Sequence, residues 1–301
     1  MIRSARGRTL LFDEGNRELE KLLTSLKGDL KQRNYKNFTA NVKKLQKIEN
    51  HYIRKENILF PYLEKTWKHC RPLTVMWSLH DDIRMELKKL YKLLEVKTEF
   101  DQDLFIIIGD LFFLLYGMIA KEELVIYPIA METLEKHVWN QIHQQSFEIG
   151  FSYIATPPKH ILDFGHEPEL TEKIFDAVFK CETGSLNQEQ LELILDALPL
   201  DLSFIDHNDE VRYFSNPKDR FFPRSPAIIG RKVQKCHPPE SVHIVEKILK
   251  AFRAKKRDEA SFWIQMRGKF IPIRLLCDSP TVQGKYLGLS WEVGKGISPE
   301  D

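Results

Sequence analysis

The sequence predicts a multidomain protein in which an all-α, up-down four-helix bundle precedes an α+β domain. Residues 12–148 hold few Pro or Gly, and their apolar residues recur at helical spacing. A stretch containing Pro and Gly follows, and beyond it short apolar runs alternate with polar turns. A chain of 301 residues is also long enough for two domains with separate cores. We therefore predict a bundle at 1–149, a linker at 150–185 and a second domain at 186–297.

The bundle is predicted to contain four long helices joined by short connections, which favours antiparallel neighbours. Apolar side chains spaced three and four residues apart give each helix one inward face. Pro128 is expected to bend the fourth helix. The predicted spans are Phe12–Arg33, Lys36–Lys65, a third helix from Pro72 onward, and Asp101–Glu148.

The second domain is predicted to follow the order strand, strand, helices, strand, strand, strand. An amphipathic helix precedes it, and a short helix is expected within the linker at Glu169–Lys180. Two apolar runs around a polar turn predict a β-hairpin. The predicted elements are a helix at Leu186–Leu198, strands at Leu202–Asp206 and Val211–Ser215, a helix at Ser241–Phe252, and strands at Glu259–Met266, Lys269–Leu276 and Tyr286–Trp291.

Composition narrows the classes of function. Lys and Arg number 45 against 43 Asp and Glu, so no overall basic charge points to nucleic acid. The 4 cysteines are far apart and form no C-x-x-C motif, which favours a reducing, cytoplasmic setting. Leu104–Ala120 is apolar on all sides but contains Asp110, so we expect a helix covered by its bundle neighbours and no membrane span.

Two similar segments place polar groups where a core is expected. Each segment has acidic residues, then an aromatic residue, then Pro, and the two prolines, Pro61 and Pro128, are 67 residues apart. Helical spacing turns Glu56, His80 and Glu122 inward, and His51 lies at the edge of its helix's apolar stripe.

These groups predict a metal site. Burying a bare carboxylate costs several kcal/mol or forces its protonation. Carboxylates and imidazoles that converge on a cation avoid that cost, and mixed nitrogen and oxygen ligands suit iron, manganese or zinc. The alternative is that the His is a hydrogen-bonded core residue and that Glu122 pairs with Lys121 or Lys55 at the surface.

The bundle resembles the hemerythrin-like, HHE cation-binding family. Segments 54–64, 75–84 and 121–128 carry the resemblance. It implies an iron-binding bundle with His51, His80 and Glu123 as ligands, together with Glu56; the spacing argument offers Glu122 instead. The chain departs from the family pattern because residues 1–33 contain no His, Lys55 stands where an acid is expected, and Met118 stands where a His is expected. We therefore expect a one-metal or depleted site.

The second domain resembles PAS sensor domains. Residues 204–215 and 229–233 carry this resemblance. It implies a small cup able to bind haem, flavin or a metabolite, with His243 and His237 as the candidate cofactor-binding residues. A structural or solvent-exposed role for both is the alternative.

Together the two resemblances predict a metal, oxygen or redox sensor, or a signalling adaptor, with a partner protein as its output. Self-association through the PAS domain is a further expectation. The alternatives are a non-haem iron oxidoreductase, an iron-centre repair factor, or a bundle that has lost its metal and serves only for interaction.

Overall fold

The structure, a computed structural model, describes residues 2–67, 70–158, 178–198, 200–217, 220–266, 269–277 and 286–287. The chain divides into two compact units, Met1–Phe164 and Gly165–Asp301. The division falls inside the segment predicted as a linker. The predicted fold class is confirmed, with a helical first unit and a second unit that combines small antiparallel sheets with helices.

The first unit is built from four long helical stretches. The second and fourth stretches each contain one turn of π-helix. In chain order the elements are α1 (Ile2–Lys31); α2 (Tyr35–Lys44), a 3₁₀ turn (Leu45–Lys47), α3 (Ile48–Arg54), a first π segment (Lys55–Leu59) and α4 (Phe60–Thr66); α5 (Arg71–Val96); then α6 (Gln102–Lys121), a second π segment (Glu122–Ile126), α7 (Tyr127–Thr133) and α8 (Lys136–Ile149).

The ends of these helices follow local chemistry. Asn34 and Asp101 each stand just before a helix and accept a hydrogen bond from a backbone N–H in its first turn. The fourth stretch was predicted to continue to Glu148, but it stops at Thr133 because Leu134 is extended, and α8 then begins at Lys136. Just before Pro128, where a bend was predicted, the helical stretch contains the second π segment.

The core of the first unit runs along the inward faces of these helices. Its members are apolar and essentially inaccessible to solvent, and they include Leu23, Leu45, Ile58, Leu115 and Ile126. The expectation that bundle neighbours cover α6 holds for one of its faces only. On its opposite face, Ile106 is 56% exposed and Phe113 is 79% exposed. Leu124, in the π segment that follows α6, is 77% exposed. In the described part of the chain, the helical span Gln102–Thr133 is long and apolar enough to cross a membrane by length and composition alone.

The second unit contains a hairpin and a five-stranded antiparallel sheet in the order β4-β3-β7-β6-β5. Its elements are β1 (Val178–Cys181), β2 (Gly184–Asn187), α9 (Gln188–Ala197), β3 (Ser203–Ile205), β4 (Val211–Phe214), α10 (Pro239–Arg253), β5 (Glu259–Met266), β6 (Lys269–Cys277) and β7 (Tyr286–Leu287). A helix was expected at Glu169–Lys180. Its last three residues, 178–180, belong to strand β1, so the prediction is wrong there. Residues 169–177 lie outside the described residues. Leu186 likewise lies in β2, and α9 starts at Gln188 behind an Asn187–Gln190 capping box.

Candidate site in the bundle interior

The two π segments are equivalent elements. In each, the residue before a proline donates its N–H to the carbonyl five residues earlier: Phe60 to Lys55 in the first segment and Tyr127 to Glu122 in the second. A proline has no N–H for the carbonyl four residues back, and its ring crowds that carbonyl. The wider π turn accommodates both effects, and such turns are frequent at functional sites. Lys55 and Glu122 therefore hold the same position in the two segments.

Lys55 lies at the centre of the buried polar cluster. Its Nζ donates to both carboxylate oxygens of Glu122, at 2.7 Å each. The same atom lies 2.7 Å from His51 Nε2 and 3.3 Å from Asn16 Oδ1. The side chains of both Lys55 and Glu122 are only 1% exposed. The alternative of a surface pair between them is thus wrong in its location, since the pair is formed in the interior.

Asn16 completes the shell around this ion pair, and the sequence analysis missed it. Its Nδ2 donates to Glu122 Oε2 at 2.9 Å, and its Oδ1 lies 2.8 Å from His51 Nε2. Tyr127 also donates its hydroxyl to Glu122 Oε2, at 3.3 Å. Helical spacing in α1 could have predicted that Asn16 faces inward, because it follows Phe12 by four residues and precedes Leu19 by three.

A second polar pair lies on the other side of Glu122. His80 Nδ1 is 2.7 Å from Glu56 Oε1, and because a carboxylate can only accept, Nδ1 carries the proton. Arg84 binds both oxygens of Glu56, at 2.9 and 3.0 Å. The His80 ring stacks on Tyr52 with centroids 3.8 Å apart. His80 Nε2 has no hydrogen-bond partner among the described residues, and it lies 3.6 Å from Glu122 Oε1.

The electrostatics keep both carboxylates ionised. Burial by itself would raise the pKa of Glu122, but the charge of Lys55 outweighs it and holds the pKa well below the ordinary value. Burial likewise would raise the pKa of Glu56, but the His80 hydrogen bond and the Arg84 charge lower it to about 2. Burial lowers the pKa of Lys55 to about 8, against the attraction of Glu122, so the amine is protonated at neutral pH.

His51 is held against α1 by the absence of a side chain there. A Cβ added at Gly15 would come within 2.6 Å of His51 Cε1, so only Gly lets the ring approach this closely. Burial first, and the Lys55 charge second, hold the pKa of His51 well below its ordinary value. The ring is therefore neutral, and its Nδ1 has no hydrogen-bond partner among the described residues.

Among the described residues of the first unit, Arg54 is a second buried cation. Its guanidinium lies between the rings of Phe12 and Phe151, at 4.6 and 4.7 Å from their centroids. None of its three nitrogens has a hydrogen-bond partner among the described residues. Burial lowers its pKa to about 10. Phe151 belongs to the segment predicted as a linker, so the start of that segment packs on the bundle.

The structure brings together most of the residues predicted for a site. His51, Glu56, His80 and Glu122 are all buried in one cluster. Glu123 is partly exposed, and its pKa is raised by burial and by the nearby Glu20 and Asp13 carboxylates. In the second unit, His243 is exposed, and the Nδ1 of His237 lies 2.8 Å from the Val233 carbonyl as its hydrogen-bond partner.

The cluster does not fit a metal ion. Among the described residues, no group of three or more His, Cys, Asp or Glu is arranged to hold one. The reason lies in the contacts: the ammonium of Lys55 takes the oxygens of Glu122 and faces the ring nitrogen of His51, while Glu56 is bound to His80 and Arg84. The donor atoms expected to surround a metal thus surround charged groups of the chain itself.

Comparison with known proteins identifies both units. Residues 10–130 match the hemerythrin HHE cation binding domain, and residues 191–290 match a PAS domain. No curated protein matches the chain. A solved structure, the C-terminal domain of a protein from Streptococcus mutans, is 28% identical over 39% of this chain and 92% of that chain, with a TM-score of 0.35.

Proposed function

Because the chain carries a hemerythrin HHE cation-binding domain followed by a PAS domain, we propose that it is a cytoplasmic signalling adaptor whose bundle works without a resident metal. The two domain types fit a sensor or signalling role in general. One observation carries the more specific proposal: the Lys55 ammonium is bound by both oxygens of Glu122 beside His51. A bundle balanced in this way needs no iron to neutralise its interior.

The PAS unit is proposed to carry the interaction. Its exposed apolar side chains are the proposed contact surface for self-association, because burying apolar surface in an interface is favourable. On α9, Leu193 and Ile194 are 63% and 47% exposed, and on β5 Trp263 is 57% exposed. The exposed His243 and the backbone-bound His237 favour a partner-binding role over a haem site.

One anaerobic preparation of the full chain tests this function. Elemental analysis and an optical spectrum report iron, manganese, zinc, haem and flavin together, and sedimentation velocity reports self-association. We expect no stoichiometric metal, and an association state that is unchanged by Fe²⁺, O₂ or dithionite. Stoichiometric iron that is lost in a His51→Ala variant would refute the proposal.

A further inference from the structure

We infer that Lys55 is itself the resident cation of this bundle, and that the single substitution Lys55→Glu converts the polar centre into a metal site. The inference rests on the proposed function, in which the wild-type bundle works without a metal. It begins from the position of one atom. Lys55 Nζ lies 2.7 Å from each oxygen of Glu122 and 2.7 Å from His51 Nε2.

A metal ion and this ammonium compete for the same space. Zinc binds imidazole nitrogen and carboxylate oxygen at about 2.0–2.2 Å. An ion at that distance from His51 and Glu122 would overlap Nζ or lie against it, and two positive charges would repel each other. Lys55 is also fully surrounded, being 1% exposed, so its amine does not reach solvent in this arrangement. A metal can therefore enter only by displacing the lysine from its carboxylate.

The pairing of positions 55 and 122 explains why a single substitution is sufficient. The two residues hold equivalent places at the start of the two π segments, so a glutamate at 55 supplies a second carboxylate from the position that matches Glu122. The exchange also changes the charge of the centre by two units, from an ion pair to two buried carboxylates. Two such charges without a cation are strongly unfavourable, and one divalent ion balances them.

Two imidazole nitrogens are also available to such an ion. Removing the ammonium frees the side of His51 Nε2 that now faces Lys55; the same nitrogen lies 2.8 Å from Asn16 Oδ1, so an ion binds there only when that contact also breaks. His80 Nε2 already has no hydrogen-bond partner among the described residues, and it lies 3.6 Å from Glu122 Oε1. Its other nitrogen is bonded to Glu56, an arrangement that fixes the tautomer of a metal-binding His. The resulting set of two nitrogens and two carboxylates suits zinc, iron, manganese or cobalt.

The experiment uses Co²⁺ alone as the probe, on the wild-type chain and four variants. Lys121→Glu is the matched control, because it makes the same charge change at an exposed lysine next to Glu122. We expect Lys55→Glu to bind about one Co²⁺ per chain with a visible absorption band, as a mixed nitrogen and oxygen site does. The wild type and Lys121→Glu should bind none, and adding His51→Ala to Lys55→Glu should abolish binding.

The fourth variant and a wild-type measurement cover the case in which Lys55→Glu does not fold without metal. Lys55→Gln removes the ammonium without adding a charge, and we expect it to bind Co²⁺ more weakly than Lys55→Glu does and more tightly than the wild type. In wild-type protein labelled with ¹⁵N-lysine, we expect the NMR signal of the Lys55 ammonium to be unchanged by equimolar Zn²⁺. Loss of that signal on adding Zn²⁺ would contradict the inference.

The outcomes separate the inference from the proposed function. Metal-free wild type together with a folded Lys55→Glu that binds no Co²⁺ overturns the inference and leaves the adaptor proposal intact. Stoichiometric metal in the wild type overturns the adaptor proposal, and with it the view of Lys55 as the resident cation.

Discussion

Replacing Lys55 by Met tests the central ion pair most directly. Methionine keeps an unbranched, slightly shorter side chain and removes the charge and the three donors. In the variant, Glu122 retains the Asn16 amide at 2.9 Å and the Tyr127 hydroxyl at 3.3 Å but loses its counter-charge. Breaking a buried pair by removing one partner costs about 3–5 kcal/mol. We place Lys55→Met near the middle of this range, because the two remaining donors offset part of the loss.

The loss of stability in Lys55→Met should become smaller as the pH falls. Without Lys55, burial raises the pKa of Glu122 above its unfolded value, so the variant regains stability as the pH falls and the carboxylate takes up a proton. The destabilisation should therefore be smaller at about pH 5.5 than at about pH 8. Urea unfolding followed by helical circular dichroism at these two pH values measures it, since the helices lie mostly in the first unit.

A double-mutant cycle completes this test. Lys55→Met combined with Glu122→Gln removes both charges, so the double variant should lose less stability than the two single losses added together, by about 2 kcal/mol or more. Additive losses, or a Lys55→Met loss below about 1 kcal/mol, would refute the view that this pair holds the bundle interior together.

Three further predictions follow from the same cluster. Glu56 has a pKa of about 2 in the folded state, below its unfolded value, so the stability it contributes is present above about pH 4.5 and is lost as the pH falls toward 2; Glu56→Gln should flatten this acid limb in urea titrations. Gly15→Ala should lower the free energy of unfolding by about 1–3 kcal/mol, because the added Cβ meets the His51 ring. Gly28→Ala in the same helix has open space around its Cβ and should raise it by up to about 1 kcal/mol. Equal effects of the two substitutions in thermal melts would contradict the close approach of His51 to Gly15. Arg54→Met should leave stability unchanged or raise it by about 1–2 kcal/mol, because it removes a buried charge with no hydrogen-bond partner among the described residues; a loss above about 2 kcal/mol would show that the two aromatic contacts outweigh the cost of burial.

Helical spacing predicted the inward direction of the main polar groups. Glu56, His80 and Glu122 were assigned to apolar stripes, and all three are buried. The same reasoning applied to α1 would have found Asn16. Glu123 came from the family resemblance instead, and it is partly exposed because it is one residue away from Glu122 and therefore lies on another face of the helix.

The π turns were beyond what spacing could predict. A regular helix was expected through Pro61, and the bend at Pro128 was expected without its form. Each segment accommodates one extra residue in its turn. Whether it does so depends on the packing of the proline, the aromatic residue before it and the surrounding core. This local geometry sets the rotation of Lys55 and Glu122 toward each other.

The sequence alone determined that two domains are present, which faces of the bundle helices are buried, and that carboxylates and imidazoles from separate helices enter one interior. These features follow from periodicity, which acts within a single segment. Which cation those groups surround depends on contacts between helices that are distant in the sequence. A lysine side chain is long and flexible, and it turns toward solvent or toward an interior carboxylate according to what its neighbours offer. Lys55 turns inward because Glu122, Asn16 and His51 meet around it, and they come from three different helical stretches.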